Sequence, residues 1–280
     1  MFKVIASRMI VPNVHILTLE APEVAQEAKP GQFIIVRASE EGERIPLSLS
    51  DWDADLGTVT VIFLNIGHTT NQLSLLEAGR SIPTVTGPLG NATKIENYGT
   101  VICMGGCYGI GSIFPIARAL KEKGNKVITI IEGRSSYLFY WEDRFARISD
   151  KMVHITRDGS KGYRGHIDRL PEIIRDLDIT VDRMIINGCT YAMKRGSEAS
   201  KPLGITTWVS LNPIMIDGTG MCGVCRVSVG GTTRFACVHG PDFDGHEVNW
   251  DELLQRRKTY VPEEVVPMRT SACQRKCHQA

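Results

Sequence analysis

The sequence predicts a multidomain chain of β and α/β class: an N-terminal antiparallel β-barrel, a domain built on a parallel sheet, and a small C-terminal segment. Three observations carry this reading. Residues 1–98 hold several short runs of alternating apolar and polar residues and no long helical pattern. Residues 99–212 alternate β-branched runs with helical patterns. Residues 213–247 hold three closely spaced cysteines, and a tail at 248–280 follows.

In the first part the chain opens as a strand, MFKVIASRMIVPNV. VHILTLE (14–20) and TVTVIFL (58–64) alternate as half-buried strands do, and FIIVRA (33–38) follows a turn at Pro30-Gly31. A short helix is expected over 71–76. In the second part VICMGG (101–106), VITIIEG (127–133), KMVHIT (151–156), DRMIING (182–188) and ITTWVSL (205–211) read as strands. Between them, 112–124 carries apolar residues at helical spacing and ends in lysine and Gly124. Helices are also expected over 136–148, near 168–175 and from about Tyr191. Strand and helix in alternation give a parallel sheet covered on both faces.

At 280 residues the chain can form two packed domains and a smaller third piece. Its 32 basic and 31 acidic residues nearly cancel, so no global field favours nucleic acid or a membrane surface. No apolar run reaches membrane-spanning length, and the opening reads as a strand rather than an export signal, so a cytoplasmic location is expected. In a reducing compartment, eight cysteines, three of them clustered, suggest metal rather than disulfides.

The cluster is DGTGMCGVCRVSVGGTTRFAC (217–237). The plant-type two-iron pattern begins C-x4-C-x2-C and is completed by a later cysteine. Here Cys222, Cys225 and Cys237 fit it, and Asp217 stands where the first cysteine belongs. The segment is read as a [2Fe–2S] site with one carboxylate and three thiolates, wrapped by glycines at 218, 220 and 223. The alternative is that Asp217 caps a turn and that His239 or Cys273 supplies the fourth ligand.

Gly105-Gly106-Cys107-Tyr108-Gly109-Ile110-Gly111 lies between a predicted strand and helix. Glycines there let a backbone approach a pyrophosphate beside a helix N-terminus; the alternative is a tight structural turn. Glu132 and Arg134 end the next strand, placed for ribose hydroxyls and a phosphate, or simply on a solvated loop. In the barrel, Pro46, Leu47, Ser48, Leu49 and Ser50 form one strand. Asn65, Gly67, His68, Thr69 and Thr70 enter the short helix, and Gly87 lies beyond it. Hydroxyls and amides at a helix start suit a second pyrophosphate. His68 is either a surface residue or a contact at a flavin edge. Cys103 reads as core. Arg256, Arg257 and Lys258 read as a solvated or interface face, and Cys273, Cys277 and His278 as a tail that docks on a partner or contributes to a metal site.

The order of these motifs resembles the ferredoxin–NADP reductase-like flavoproteins over residues 1–212. Gly67 to Thr70 is similar to that family's flavin-pyrophosphate motif. Arg44-Ile45-Pro46-Leu47-Ser48 resembles its flavin strand, with proline for the usual tyrosine, and Gly188-Cys189-Thr190-Tyr191-Ala192-Met193 resembles its nicotinamide motif. With the cluster added, the chain resembles electron-transfer subunits of dihydroorotate dehydrogenase. It resembles more the small subunits of electron-bifurcating NADH-dependent reduced ferredoxin:NADP oxidoreductases, since Asp217 replaces the cysteine expected of the former. The resemblance implies a flavin-binding barrel (1–98), an NAD-binding domain (99–212), a [2Fe–2S] segment (213–247) and a tail (248–280) that meets a partner. It implies FAD, the cluster and NAD(H) as cofactors. It also implies a heterodimer with a larger subunit holding FAD, [4Fe–4S] clusters and the NADP(H) site, through which ferredoxin is met. Glu132 would repel a 2′-phosphate and Arg134 attract one, so the resemblance alone points to NAD. Two other readings remain: an electron-transfer subunit for a dihydroorotate- or sulfide-metabolising dehydrogenase, and a redox-sensing flavin and iron–sulfur module.

Overall fold

The computed structural model describes residues 1–259 and 261, so Cys273, Cys277 and His278 lie outside the described residues. The first body holds β1 (Phe2–Val11), β2 (Val14–Glu20), α1 (Pro22–Glu27), β3 (Phe33–Arg37), β4 (Ile45–Asp53), β5 (Thr58–Leu64), α2 (His68–Ser74), β6 (Ser81–Ile82) and β7 (Thr84–Leu89). Its seven strands form a curled antiparallel half-barrel in the order β6-β1-β2-β5-β4-β3-β7. The two edge strands run on from one another through Pro83. Alternation along β2 and β5 sends Leu17, Leu19, Val59 and Val61 inward, where each is fully buried. Helix α2 begins three residues before the expected start at 71. The Thr70 hydroxyl accepts the Ile66 and Gly67 N–H groups, at 3.1 and 2.9 Å, and pulls the chain into helix early.

The second body holds β8 (Thr100–Gly106), α3 (Gly109–Glu122), β9 (Lys126–Gly133), α4 (Glu142–Ile148), β10 (Lys151–Thr156), β11 (Tyr163–Arg164), α5 (Leu170–Leu177), β12 (Arg183–Asn187), α6 (Thr190–Ser200) and β13 (Thr206–Ser210). Strand order is β11-β10-β9-β8-β12-β13, all parallel. The chain leaves β8 for β9 on one side and later returns to β12 on the other. That reversal makes a crevice beyond the carboxyl ends of β8 and β12.

The helix expected over 136–148 is not continuous. A single 3-10 turn, Ser136–Leu138, is followed by Trp141 in left-handed conformation (φ 59°), and α4 starts only at Glu142. The cause is Tyr140, whose hydroxyl donates to the Cys107 carbonyl and accepts the Gly111 N–H, both at 3.0 Å. Burying that side chain under the glycine-rich loop costs the segment its helical path.

Past Pro213 the chain forms a hairpin of β14 (Arg226–Val229) and β15 (Thr232–Phe235), the short turn α7 (Ala236–His239), β16 (Asp242–Asp244) and α8 (Trp250–Arg257). Gly230 and Gly231, both left-handed, make the two-residue hairpin turn. Strand β16 pairs antiparallel with β13 and becomes the seventh strand of the second sheet. Among the described residues, no helix is long and apolar enough to cross a membrane.

Helix α3 lies close to β12 because Gly109 has no side chain. A Cβ there would strike the Asn187 carbonyl and the Gly188 backbone, which cannot swing aside. Gly109→Ala is expected to lower the unfolding free energy by about 1–3 kcal/mol. An unchanged urea midpoint would show that the helix and strand can separate without loss.

Candidate functional site

The hairpin delivers two of the cysteines to each other. Cys225 precedes β14, Cys237 follows β15, and the Ala236 N–H donates to the Cys225 carbonyl at 3.1 Å. Their sulfurs lie 3.2 Å apart, and both residues are buried. Burial first, and then the neighbouring Cys225 sulfur, push the Cys237 thiol up to about 12. The Gly220 N–H faces the same sulfur and favours its thiolate.

A second pair forms upstream. The two Asp217 carboxylate oxygens accept N–H groups from Thr219 at 3.1 Å and Cys222 at 2.9 Å. Burial alone would raise this carboxyl, but these N–H groups outweigh it and hold it below the usual carboxylate range. Asp217 therefore does cap the turn, as the alternative reading has it. Each carboxylate oxygen has a second lone pair, so capping leaves acceptor capacity for a metal. Cys222 itself is exposed.

Among the described residues, no three His, Cys, Asp or Glu side chains converge as they would on a single metal ion. Two pairs are the arrangement a two-iron core needs, because each iron takes two protein ligands. Gly218, Gly220 and Gly223 are all left-handed, with φ of 77°, 85° and 66°. The donor chemistry and a glycine-bent loop fit a small iron–sulfur core.

The loop is strapped to the barrel. Arg44 Nε donates to the Ile216 carbonyl at 2.9 Å, which gives this arginine a place on the cluster loop. Gly218 packs so tightly on Leu89 and Ile35 that a Cβ would reach 2.6 Å from the leucine. Asn91 binds the far side, its N–H donating to Gly240 O and its side chain to Val238 O.

The crevice beyond β8 and β12 collects Gly106, Cys107, Gly188 and Cys189. Cys107 is left-handed (φ 56°) and its thiol is pushed up, chiefly by burial; Cys189 is exposed. Gly106 alone among the loop glycines is open, with no atom nearer than 3.7 Å to a built Cβ. Gly105 and Gly109 are required by packing within the domain. Gly111 is required by the barrel, where a Cβ would come 2.8 Å from Ile62 Cδ1 and 2.9 Å from Ser50 Oγ. Most of the loop glycines thus serve close packing rather than a ligand. Ile110 is 1% exposed and is a core residue, and the Gly111 N–H is already taken by Tyr140.

Glu132 is not on a solvated loop. It is buried, with His166 Nδ1 3.0 Å from one oxygen and the Ile167 N–H donating to the other at 2.9 Å. Arg134, two residues on, is exposed.

In the barrel, Leu47 and Leu49 point into the core, Pro46 is half-buried and Ser48 is exposed. Ser50 and Thr69 are buried, and their hydroxyls, like Gln72 Oε1, lack a hydrogen-bond partner. Unsatisfied buried polar atoms are what a polar ligand would satisfy, and Ser50 lies beside Gly111 of the second domain. Thr70 is spent on the helix cap, Asn65 Nδ2 donates to Ser74 Oγ at 3.1 Å, and His68 is exposed. Gly87 allows β7 to lie on β3, where a Cβ would meet Ile34 at 2.8 Å.

Residues 212–249 match the iron–sulfur cluster binding domain of dihydroorotate dehydrogenase B. The chain is 43% identical, over 92% of its length and 90% of the relative's, to a dihydroorotate dehydrogenase B (NAD(+)) electron transfer subunit homolog of Thermotoga maritima. It belongs to that family of electron-transfer subunits. A solved structure of the NADH-dependent reduced ferredoxin-NADP oxidoreductase, described for flavin-based electron bifurcation, is 40% identical to it. That match has a TM-score of 0.91 over 97% of this chain and 98% of the other. A ferredoxin NADP+ reductase from Neisseria gonorrhoeae, at 17% identity and TM-score 0.61, covers 72% of this chain and 90% of its own, and shares the fold.

The subunit also uses residues that spacing did not single out. Tyr108, Tyr140, Asn187 and Asn212 buttress the crevice. Asn187 follows the apolar run Met184–Ile186, the one signal that could have marked it. Arg257 and Lys258 are exposed, as a solvated face requires, and Arg256 is half-buried; Arg256 and Arg257 each also donate to a backbone carbonyl.

In iron-free protein, iodoacetamide at about pH 8 is expected to label exposed Cys222 and Cys189 well before Cys103 and Cys237. Burial holds the Cys103 and Cys237 thiols up near 12, leaving about one part in ten thousand as thiolate at that pH. Labelling of both should accelerate as pH rises. Equal rates for Cys222 and Cys237, read by peptide mass spectrometry on folded protein, would contradict this arrangement.

Proposed function

We propose that this subunit is the NAD-linked, smaller member of an electron-bifurcating oxidoreductase, working between a [2Fe–2S] cluster, FAD and NAD(H). The observation that carries the proposal is the pairing of donors, Asp217 with Cys222 and Cys225 with Cys237, on a loop strapped to the barrel. Asp217 in the position of a fourth thiol separates this reading from the dihydroorotate type.

A flavin is the group that exchanges electrons singly with a cluster and in pairs with a nicotinamide. The residues proposed to hold it are on β4 and α2. Ser50 and Thr69 offer unsatisfied hydroxyls, Ser48 and Pro46 an accessible strand edge, and Gly67 and His68 the helix entrance. The crevice at Gly106, Cys107 and Cys189, with Arg134 at its side, is proposed for NAD(H). Its walls are fixed by Tyr140 under the loop and by Asn187, which donates to Ser112 Oγ at 3.1 Å. The chain thereby positions a ligand and limits water with little reorganisation.

The proposed partner is a larger subunit with its own FAD, [4Fe–4S] clusters and NADP(H) site, and ferredoxin is met through it. Support comes from the extent of the likeness to the ferredoxin-NADP oxidoreductase structure. The match of residues 212–249 to the dihydroorotate dehydrogenase B domain favours a second reading, with a dihydroorotate-oxidising partner.

Anaerobic purification of the native complex distinguishes them. The expected result is copurification of a large flavin and iron–sulfur subunit, with about two irons and one FAD of the complex's total contributed by this chain. Copurification of a dihydroorotate-oxidising subunit would select the second reading. Asp217→Ala is expected to change the EPR spectrum of the reduced protein, and an unaltered spectrum would remove Asp217 from the ligand set.

A further inference from the structure

Helix α8 touches both sites through two consecutive arginines. Successive residues on a helix point about 100° apart, so neighbours reach different surfaces. Arg256 Nη2 donates to the Val224 carbonyl at 3.1 Å, between Cys222 and Cys225. Arg257 Nη1 donates to the Asn212 carbonyl at 2.7 Å, just past β13.

Asn212 carries the contact onward. Its Nδ2 donates to the Tyr108 hydroxyl and, at 3.2 Å, to the Gly188 carbonyl; its Oδ1 accepts from Thr190 Oγ1 at 3.1 Å. The Tyr108 hydroxyl donates to the same Gly188 carbonyl at 3.1 Å. One side chain thus joins the glycine-rich loop after β8 to the strand end and helix start after β12.

The helix itself is firmly seated. Asn249 caps it by accepting the Glu252 N–H at 3.1 Å, Trp250 Nε1 donates to the Gly245 carbonyl at 3.0 Å, and Leu253 is buried. Lys194 on α6 pairs with Asp251 at 2.8 Å. Long arginine side chains lose rotamer freedom when held, and they are held here by carbonyls of two separate loops.

We infer that α8 is a strut linking the cluster loop to the dinucleotide crevice, with Arg257 and Asn212 as positioning residues for NAD(H). The inference rests on the functional reading above. Filling the crevice orders Tyr108 and Asn212, and through Arg257 and Arg256 it stiffens the backbone around Cys222 and Cys225.

The test uses the purified holo-complex, NAD⁺ as ligand, and two readouts: steady-state NADH:dye reduction and hydrogen exchange by mass spectrometry. In the unmodified protein NAD⁺ should slow exchange at 106–111 and also at 219–226. Arg257→Ala should raise the KM for NADH about tenfold with kcat nearly kept, and abolish the NAD⁺ effect at 219–226. Arg257→Lys should restore most of both. Arg256→Ala should leave the KM unchanged yet abolish the same protection. Tyr108→Phe provides a milder break in the relay, with the same direction of effect as Arg257→Ala, if the alanine variants fold poorly. An NAD⁺ response confined to 106–111 in the unmodified protein overturns the strut alone. So does a wild-type KM with retained protection in Arg257→Ala. A complex that binds no NAD⁺ overturns the functional reading and the strut together.

Discussion

The buried seam where the cluster segment returns to the sheet holds the rest of the molecule in place. Strand β16 adds to β13 through Trp208, Val209 and Ser210, paired with Asp244, Phe243 and Asp242. Behind it Cys225, Val227, Cys237, Trp250 and Leu253 share one continuous core with Ile186, Met193 and Val209 of the sheet and with Phe33 and Ile35 of the barrel. Close-packed interiors resist deformation, so three pieces that share a core keep constant separations. Constant separation and orientation are what the protein contributes when cofactors carry the redox chemistry.

Polar contacts tune the seam rather than create it. Thr93 Oγ1 donates to Asp242 at 2.5 Å, and burial raises that carboxyl above its usual range. Between barrel and α/β domain, Asp51 on β4 meets Arg118 on α3 at 3.1 Å and Arg144 on α4. Both arginines also lie over Phe114, and Arg144 lies over Trp141. These groups are partly solvated, so each ion pair is worth about 1 kcal/mol or less, and their effect is on the angle between the bodies. The close approach of Gly111 to Ser50 and Ile62 sets the distance.

Much of this was legible in the residues. Period-two alternation located β2 and β5, β-branched runs located the parallel strands, and cysteine spacing located the cluster loop before any coordinates. What spacing missed shares a cause: each case involves a partner far away in sequence. Glu132 could stand on a solvated loop as far as spacing shows, but the fold buries it and sets His166 and Ile167 against its two oxygens. The aromatic run at 136–148 reads as helix until Tyr140 is drawn under the glycine-rich loop. Arg256 and Arg257 read as a solvated or interface face, and what that reading lacks is the carbonyls of Val224 and Asn212 to which they also donate.

The sequence by itself determined most element types, the order of the three pieces and the position of the cysteine-bearing loop, because these depend on local periodicity and fixed spacing. Only the tertiary structure decided how these residues group, since hairpin pairing brings the Cys225 and Cys237 sulfurs together while a turn brings the Cys222 N–H to Asp217. It also decided what the glycines do. Spacing cannot distinguish a glycine that admits a ligand from one that admits another strand, and here Gly105, Gly109 and Gly111 admit protein while Gly106 stays open.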